Sequence, residues 1–488
     1  MRNLFYTILV LLTVYACAGK REIVTEQKQV LPAVEDVVMY EINPRVFALK
    51  NAFNVISKHL DSIQFLGVNV VWFMPIYEIG EVNTVNSPYC IKDYKRINPE
   101  FGTVEEFKRL VELCHEKGIS VILDWVANHT SWDHAWIKEH KEWYTQDSIG
   151  NIISPAGTGW NDVADLNYDN ADMCLAMIDA MKYWIQEVGV DGFRCDAADY
   201  VPYTFWKQAV DSLRAIPNRK LLMLAEGKRK DHFDAGFDMN YAWDLMEAMR
   251  DVFVNDSSAA RLLEVDWSEY DSIPAGKMKL RFITNHDEAS KMSPIVELGS
   301  ERAAMAAFVG TVFLHGGALI YSSQEIGHEA PINFFAYTSV DWSECSDIYQ
   351  EYGCLMGLYN KYPALRKGIL TGYPASDVLM YQKSDGKDAF MILVNVRNRD
   401  VSVILPEGWK HHVATDIYEN KPLELMNEIK LNALEYRIIR VHPTFRVMRQ
   451  SCRAYSLSSK YRSSLNPYAV LFITFILLLI PSTLPVDI

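Results

Sequence analysis

The chain has 488 residues, and its 48 Lys and Arg against 62 Asp and Glu give a formal net charge of −14. Hydrophobic residues make up 49% of the sequence and charged residues 23%, a globular composition that excludes a disordered protein, a collagen and a multi-span membrane protein. The acidic chain has no basic stripe, which argues against a nucleic-acid partner because phosphate binding needs clustered Lys and Arg. The length allows two or three domains.

The first residues resemble a secretory signal. Arg2 precedes an apolar run that ends at Ala16, too short to span a bilayer. The residues just before Cys17 resemble a bacterial lipobox, in which the cysteine is lipidated and becomes the mature N-terminus. We predict a signal peptide with lipobox at 1–17 and a polar linker at 18–36, with an ordinary signal peptide as the alternative. The lipid anchor predicts secretion across the inner membrane and attachment in the cell envelope, facing the periplasm or the cell surface.

From about Val37 onward, short β-branched runs alternate with longer amphipathic stretches, which is typical of βα units and a parallel sheet. The eight candidate strands are 37–43, 68–76, 120–128, 191–198, 221–227, 237–241, 281–287 and 318–323. Eight such units are what a (β/α)8 barrel requires, so we predict an α/β fold with a TIM barrel at 37–345. A doubly wound open sheet is the alternative, although no glycine-rich phosphate loop follows the first strand.

Three regions depart from this alternation. The interval between the third and fourth strands is too long for one helix and rich in Trp, Gly, Asn and Asp, which predicts an inserted subdomain at 130–180 over the barrel mouth. Alternating segments separated by turn residues predict a small antiparallel β-sandwich at 346–443. The tail at 444–488 carries basic residues before the apolar run Ala469–Ile480, which is shorter than the about 20 residues of a membrane span. A second membrane contact and a non-native extension remain open for this tail.

Reactive side chains collect at the predicted strand ends, where barrel enzymes place their active sites. Arg194 and Asp196 alternate along the fourth strand, so both point to the same side. Glu226 ends the fifth strand, and Asp287 ends the seventh. A single Asp at a strand end is more often a helix N-cap, but three carboxylates at one mouth repel one another, so at least one holds a proton near neutral pH. A proton donor beside an ionised carboxylate is what glycoside hydrolysis requires.

Several short motifs follow one another in order on the predicted strands. They are DWVANH (124–129), DLNYDN (165–170), GFRCDAA (192–198), AEG (225–227) and TNHDE (284–288). Together they resemble the motifs of the α-amylase family, a clan of retaining α-glucan hydrolases and transglycosylases. The resemblance runs from about residue 37 to 345, and it implies a (β/α)8 barrel followed by a β-sandwich.

The resemblance implies a role for each of the three carboxylates. Asp196 resembles the nucleophile that attacks the anomeric carbon and forms a covalent glycosyl-enzyme. Glu226 resembles the acid/base, which protonates the leaving oxygen and later deprotonates water. Asp287 resembles the third carboxylate, which binds sugar hydroxyls and stabilises the oxocarbenium-like transition state. Arg194, two residues before Asp196 on the same face, would keep that carboxylate ionised.

The resemblance also implies contacts to the substrate. Arg194 belongs to this substrate-binding set. His129 and His286 resemble the pair that binds hydroxyls of the reacting sugar, although a lone barrel histidine is more often a core residue. Tyr89 lies where the family places a stacking platform, and an ordinary loop tyrosine is the alternative.

The chemistry needs no cofactor, but a structural calcium ion is one reading of the resemblance. Asn128 and Asp165 match typical ligand positions for it. Calcium wants several oxygen ligands, and only these two can be named. A calcium site and a metal-free site therefore both remain open.

One departure from the family pattern concerns the leaving-group side. Where many α-amylases have Lys-His, this chain has Asp199 and Tyr200, which leaves the leaving-group specificity open. We predict a retaining glycosidase that cleaves α-glucosidic bonds, in the first place α-1,4 bonds, in starch, glycogen or maltooligosaccharides. An α-glucan transglycosylase and an α-glucosidase are alternatives. A non-catalytic glucan-binding protein is disfavoured, because all three carboxylates and Arg194 are present.

Overall fold

The computed structural model describes residues 31–271, 273–343 and 346–441. Eight parallel strands close into a barrel in which each strand pairs with the next along the chain and the last pairs with the first. These strands are β1 (Val38–Ile42), β2 (Val70–Phe73), β3 (Ser120–Val126), β4 (Gly192–Asp196), β5 (Leu222–Ala225), β6 (Met239–Tyr241), β7 (Met278–Arg281) and β8 (Gly317–Tyr321). The predicted TIM barrel is confirmed. Cys17 with its predicted signal peptide and the tail at 444–488 lie outside the described residues.

The barrel strands are apolar because both of their faces are covered. Every residue of β1, β3 and β4 is buried, as expected when side chains fill the barrel and helices cover its outside. The charged exceptions are Glu41, Asp124, Arg194 and Asp196, all of which are also buried. They lie towards the carboxyl ends of their strands and bind one another or nearby side chains.

The seventh strand lies earlier than the predicted 281–287. Parallel pairing to β8 ends at Arg281, although the apolar residues Phe282 and Ile283 remain buried. Asn285 then accepts a hydrogen bond from the backbone N–H of Glu288 and begins the helix His286–Ala289. Asp287 is therefore in the first turn of a short helix and not on a strand, because a buried loop continues the apolar pattern of the strand before it.

Helices of different lengths connect the strands and surround the barrel. The helix Val104–Glu116 begins with a capping box, in which Thr103 accepts from the N–H of Glu106 and the Glu106 side chain accepts from the N–H of Thr103. The other α-helices are Pro44–Phe47, Ala52–Phe65, Ala135–Glu139, Ala171–Tyr183, Tyr203–Arg214, Asp231–Ala235, Trp243–Phe253, Ala260–Tyr270, His286–Ala289, Pro294–Leu298, Glu301–Val312, Asp347–Lys361 and Pro363–Lys367. Within the described residues, no helix is both long and apolar enough to cross a membrane.

Two hairpins stand above the barrel mouth. The first follows β2 and pairs Tyr77–Ile79 with Ile91–Ile97, and the loop between its strands carries Tyr89. The second follows β3 and pairs His129–Ser131 with Val163–Asp165. This second hairpin and the helix Ala135–Glu139 form the excursion that the sequence predicts. The next helix begins at Ala171 and covers the barrel, so it is not part of the excursion.

The C-terminal domain is antiparallel, as predicted. Its strands are β9 (Ile369–Gly372), β10 (Val378–Ser384), β11 (Ala389–Asn395), β12 (Val401–Ile404), β13 (His412–Asp416), β14 (Lys421–Leu425), β15 (Glu428–Leu431) and β16 (Tyr436–Val441). Six of them form a sheet in the order β9-β10-β11-β16-β13-β14, and β12 pairs with β15. One face of the large sheet packs on the barrel, because Phe390, Ile392 and Val394 belong to the barrel's hydrophobic core while the alternate residues Met391 and Leu393 form a second core.

Candidate active site

A cavity of about 220 Å³ opens at the carboxyl ends of the barrel strands. Six of the residues predicted from the sequence line it, namely Tyr89, His129, Asp196, Glu226, His286 and Asp287. Further lining residues are Val85, Ser87, Trp160, Asp162, Val163, Ala197, Phe334 and Phe335. The fold therefore brings side chains from distant parts of the sequence to one cleft, where the predicted carboxylates face a common space.

Arg194 is the charged centre beneath this cleft. Its side chain is completely buried, and its Nη1 donates to both oxygens of Asp124, at 2.8 and 3.0 Å. The same Nη1 donates to Asp196 Oδ1 at 3.0 Å, and Nη2 lies 2.7 Å from Glu226 Oε1. One guanidinium thus contacts three carboxylates, and the hydroxyl of Tyr241 accepts from its Nε at 3.1 Å.

The turn after β4 aims a backbone donor at Glu226. Ala197 has a left-handed backbone with φ 43°, which is strained for a residue with a Cβ. In this conformation its N–H donates to Glu226 Oε2 at 2.7 Å. The N–H of Ala198 also donates to the backbone carbonyl of Glu226 at 3.0 Å. The strain therefore places the acid/base candidate against the turn that carries Asp196.

Asp196 and Glu226 are both buried near the same cation, the guanidinium of Arg194. Burial raises the pKa of the Asp196 carboxyl well above its usual value, although Arg194 opposes the rise. Burial also raises the pKa of Glu226, again against Arg194, and the charge of Asp287 adds to the rise. Because the two carboxyls interact, they lose their protons in coupled steps that lie above the usual carboxyl pKa range.

A hydrogen-bonded chain links His286 to Arg194. Nδ1 of His286 lies 2.6 Å from Glu41 Oε1, and its Nε2 lies 2.7 Å from the hydroxyl of Tyr89. That hydroxyl donates to Asp124 Oδ2 at 3.1 Å. The Tyr89 hydroxyl donates its only proton to Asp124, so in its bond with His286 the hydroxyl oxygen is the acceptor and Nε2 carries the proton. The bond to the carboxylate of Glu41 requires a second proton on Nδ1. The chain is complete when His286 is protonated.

The electrostatics of His286 agree with this assignment. Burial lowers the pKa of His286, but the charges of Asp287 and Glu41 outweigh burial and raise it to about 9. The ring of Tyr89 stacks on that of His286, with centroids 5.4 Å apart and planes 21° apart. The imidazolium is therefore fixed in position by its two hydrogen bonds and adds a positive charge at the edge of the cleft.

His129 lies in the same cleft but in a different electrostatic environment. Burial lowers its pKa to about 4, so the ring is neutral at pH 7. Its Nδ1 lies 3.2 Å from Nδ2 of Asn128, an amide that donates to it. This bond assigns the ring proton to Nε2, and the ring also forms a hydrogen bond with the backbone of Tyr89.

The two predicted calcium ligands lie next to this histidine. Asp165 pairs with His129 across the second hairpin, and Asn128 uses its amide nitrogen on the His129 ring. Among the described residues, no three His, Cys, Asp or Glu side chains are grouped so that they could hold a metal ion. Calcium takes about six to eight oxygen ligands, and Asn128 and Asp165 do not supply them by themselves. A calcium ion at this place stays a prediction.

Asp199, one of the two residues that depart from the family pattern, hydrogen-bonds the loop that follows β5. Its carboxylate accepts from the backbone N–H groups of Lys228 at 3.0 Å and Arg229 at 3.2 Å. Gly227 permits this approach, since a Cβ there would lie 2.3 Å from Asp199 Oδ1. The carboxylate is thus directed at the segment that follows Glu226, while the neighbouring Tyr200 is exposed.

Some residues of the site have no clear sequence signal. Glu41 holds His286, and its only signal is a lone acidic residue in the apolar first strand. Phe334 and Phe335 come from an irregular segment after β8, and Trp160 comes from the excursion, which the sequence predicts only as a region. Positions of this kind depend on how long loops fold over the barrel.

The sequence is similar to those of several known amylases. It is 28% identical to the alpha-amylase MalA of Haloarcula japonica over 77% of this chain and 57% of that protein. It is 27% identical to a cyclomaltodextrinase of Bacillus sp over 69% of this chain and 64% of that protein. The chain thus spans less than two thirds of the length of either relative.

Solved structures share the whole fold. A maltogenic alpha-amylase, AmyB from Thermotoga neapolitana, superposes with a TM-score of 0.76 at 26% identity, covering 85% of this chain and 100% of that one. An alpha-amylase from Lactobacillus plantarum gives a TM-score of 0.75 at 27% identity, covering 83% and 99%. The sequence model described as "Alpha amylase, catalytic domain" matches residues 51–150 and 158–367, more than half of the sequence. The chain therefore belongs to the alpha-amylase family.

Proposed function

We propose that this protein is a retaining glycosidase that cleaves α-1,4-glucosidic bonds in maltooligosaccharides or longer α-glucans. The observation that carries the proposal is the guanidinium of Arg194, which contacts Asp196 through one nitrogen and Glu226 through the other. The two carboxyls are thereby held close together, as retaining glycosidases with a separation of about 5–5.5 Å require. Inverting enzymes leave room between them for a water molecule.

In the first step, Asp196 attacks the anomeric carbon and the bond to the leaving oxygen breaks. Glu226 gives its proton to that oxygen, so the leaving sugar departs as an alcohol. The charge of Arg194 opposes protonation of Asp196 and so favours the ionised nucleophile. In this step Glu226 is the acid and Asp196 is the nucleophile.

In the second step, water attacks the anomeric carbon of the glycosyl-enzyme. Glu226, now a carboxylate, takes the proton of the water, and the ester bond to Asp196 breaks. Two displacements at the same carbon restore the α configuration. The cycle ends with Glu226 protonated and Asp196 ionised, as it began.

The surrounding residues bind the sugar at the reacting carbon. His129 and His286 border the hydroxyls of this sugar, while Asp287 accepts from those hydroxyls and stabilises positive charge at the ring oxygen. The Asp287 side chain is 40% exposed, so it is open to the substrate. The ring of Tyr89 forms the floor for the sugar, and its hydroxyl is already used on Asp124.

Relatives support an α-glucan substrate over other glycosides. The proteins of similar sequence and structure include an alpha-amylase, cyclomaltodextrinases and maltogenic alpha-amylases. Most of these names refer to α-linked glucose polymers or to maltose. The identities of 24–28% leave chain length and endo or exo action to experiment.

The test is proton NMR of the first products formed from maltoheptaose by the full chain. A retaining enzyme releases new reducing ends as the α anomer, which then mutarotates. Initial release of the β anomer would overturn the proposed mechanism. No turnover of maltoheptaose, branched glucans or disaccharide α-glucosides would favour a glucan-binding protein.

Two variants assign the carboxylates in the same assay. We expect Asp196→Asn to lower kcat/KM by at least about a thousandfold. Glu226→Gln should lose turnover of maltoheptaose but still release fluoride from α-maltosyl fluoride in the first step, because fluoride leaves without a proton donor. The matched control is Asp211→Asn, which changes an exposed Asp paired with Lys207 on an outer helix. Full activity in Asp196→Asn would contradict the assignment.

A further inference from the structure

A bridge of hydrogen bonds closes one side of the barrel mouth. It joins the loop of the first hairpin to the segment that follows β8. Both segments line the catalytic cleft, the loop through Val85 and the segment after β8 through Phe334 and Phe335. The side chain of Asn86 spans the gap between them, because its Nδ2 donates to the backbone carbonyl of Phe335. The catalytic steps above do not use this bridge.

The guanidinium of Arg45 holds both segments at once. Its Nη1 donates to the carbonyl of Asn86 at 2.7 Å and to that of Phe334 at 3.0 Å. Its Nη2 donates to Asn86 Oδ1 at 3.3 Å, and Glu100 accepts from Nε at 3.2 Å and from Nη2 at 3.1 Å. A guanidinium has five N–H donors, and these contacts use all of them. Since Arg45 is 3% exposed, a buried and fully bonded side chain supports the bridge.

The backbone around Arg45 is also fixed. The side chain of Asn43 accepts from the N–H of Arg45 at 3.0 Å and begins the helix Pro44–Phe47. The carbonyl of Arg45 accepts from the N–H of Thr338 at 3.2 Å, which attaches the segment after β8 a second time. The bridge is therefore anchored to the backbone that directly follows β1.

The bridge lies next to the pocket of the reacting sugar. The ring of Phe334 packs edge-on against His286, with centroids 5.3 Å apart, and against Tyr89, with centroids 6.1 Å apart. The cavity measures about 220 Å³, less than the about 300–1,000 Å³ of sites for drug-sized ligands. A cavity of this size holds about one or two sugar rings and not an extended glucan.

The order of the strands relates the bridge to one end of the substrate. Glu226 follows β5, which lies opposite β1 in the closed barrel, so the segments after β8, β1 and β2 lie across the mouth from Glu226. Glu226 gives its proton to the leaving oxygen on C1 of the reacting sugar, and C4 is at the opposite end of that ring. The part of a glucan towards its non-reducing end is attached through O4 and therefore extends towards the bridge.

We infer that the bridge formed by Arg45, Asn86 and Phe335 closes the cleft on the non-reducing side, so that the enzyme attacks glucans from their non-reducing ends and releases glucose or maltose. The inference rests on the proposed function and uses the same two displacement steps. An internal stretch of glucan would have to continue through the bridge, whereas a chain end has no sugar beyond the pocket. The bridge thereby determines which bond of the substrate reaches Asp196 and Glu226.

The experiment compares two p-nitrophenyl maltoheptaosides with the full-length enzyme, one of which carries a 4,6-O-ethylidene group on its non-reducing terminal glucose. From the unblocked substrate we expect glucose or maltose as the first products, with the nitrophenyl group left on the long remainder. The blocked substrate should have a kcat/KM at least about tenfold lower, because its end no longer fits against the bridge. Early nitrophenyl products of all lengths, or equal kcat/KM values for the two substrates, would overturn the inference. No cleavage of the unblocked substrate would instead overturn the proposed function.

Two variants open the bridge without touching the catalytic carboxylates. Asn86 has a left-handed backbone with φ 65°, so Asn86→Gly keeps the backbone conformation and removes the side-chain bonds to Phe335 and Arg45. Phe335→Ala removes a ring that lines the cavity. We expect each variant to raise the ratio of kcat/KM for the blocked substrate over the unblocked one at least about threefold, and the double variant to raise it further.

A control in the same loop separates the bridge from a general effect of glycine. Asn83 is exposed and also has a left-handed backbone, with φ 56°, but it takes no part in the bridge. Asn83→Gly should therefore leave the ratio at the value of the unmodified enzyme. Thermal unfolding identifies any variant that has lost its fold. An unchanged ratio in the folded double variant would overturn the role of the bridge.

Discussion

Arg194 determines the charge state of the site at the scale of single residues. One guanidinium faces the carboxylates of Asp124, Asp196 and Glu226, so three negative charges would meet a single positive one. Asp124 also accepts from the indole of Trp72 at 3.1 Å, while burial raises the pKa of its carboxyl against the charge of Arg194. The three carboxyls together exceed the charge of the guanidinium, and a proton held by one of them reduces this excess of negative charge.

The catalytic candidates that follow strands could be predicted from the sequence. The buried residues that hydrogen-bond the side chains of the site could not. Asp196 and Glu226 follow apolar runs, so their location at the barrel mouth could be predicted. Glu41 lies at the end of β1 with 0% exposure, and its partner His286 is 245 residues away. No local pattern links these two residues. Such a pair becomes visible only when barrel closure brings β1 beside the segment after β7.

Replacing Glu41 by Gln tests the protonation of His286. The pKa of His286 is raised to about 9 by Asp287 and Glu41 against burial. A raised folded-state pKa stabilises the protein fully below the unfolded value of about 6.5 and loses this contribution as pH rises through 9. We expect Glu41→Gln to lower the pKa of His286 and to reduce the free energy of unfolding by about 1.5–3 kcal/mol near pH 6. The difference from the unmodified protein should shrink towards pH 10.

The measurement is the Tm of both proteins between pH 5.5 and 10, together with the pH profile of kcat/KM. The control is Glu139→Gln, which changes an exposed Glu on the helix of the excursion and should follow the unmodified curve. A constant Tm difference at every pH would show that Glu41 acts through packing and not through the charge of His286.

At the scale of helices and strands, the sequence pattern predicts an element best when the signal is local. The capping box at Thr103 correctly predicts the start of a helix, because its hydrogen bonds join residues close in sequence. The seventh strand differs, since Phe282 and Ile283 are as buried as strand residues but form no ladder with β8. A run of hydrophobic residues predicts that a segment is buried. Whether the segment is a strand depends on backbone hydrogen bonds to a neighbouring strand, which the run does not predict.

Lys383 joins the two domains in a way that no pattern predicts. It lies on β10 and is completely buried. Its Nζ donates to the carbonyls of Phe313 at 3.2 Å, Leu314 at 3.1 Å, Leu365 at 2.6 Å and Arg366 at 3.0 Å. Burial lowers the pKa of this amine to about 7. These carbonyls follow or end two helices, where orphan acceptors and the helix dipole favour a cation. One side chain therefore completes the ends of two helices and attaches the C-terminal sheet to them.

Replacing Lys383 by Met should destabilise the protein strongly. Met fills the space of the stem but leaves the four carbonyls without this donor, so we expect a loss of about 3–5 kcal/mol in the free energy of unfolding. Thermal unfolding should show a Tm lower by several degrees. Lys387→Met is the matched control, because Lys387 is exposed in the turn after β10 and its loss should change Tm little. Equal Tm values for the two variants would contradict the role of the buried ammonium.

At the scale of the whole molecule, the prediction of a lipid anchor needs a test of its own. We propose that Cys17 is lipidated and that the acidic barrel domain is held at a membrane surface by it. In a bacterial host, the unmodified protein should fractionate with membranes and incorporate labelled fatty acid. Cys17→Ser should lose the label, because the thiol that accepts the lipid is gone. Cys354→Ser removes an exposed free cysteine of the folded domain and should keep both. Label in Cys17→Ser would contradict the anchor.

The central claim is that Asp196 forms a covalent bond to the sugar while Glu226 handles the proton. The most direct measurement is mass spectrometry of the full chain after reaction with 5-fluoro-α-D-glucopyranosyl fluoride, whose ring fluorine slows release of the intermediate. We expect one fluoroglucosyl group per chain, located by proteolysis on the peptide that contains Asp196 and lost when excess maltose is added. An adduct on another carboxylate, or turnover of maltoheptaose with initial release of the β anomer and no adduct, would contradict it.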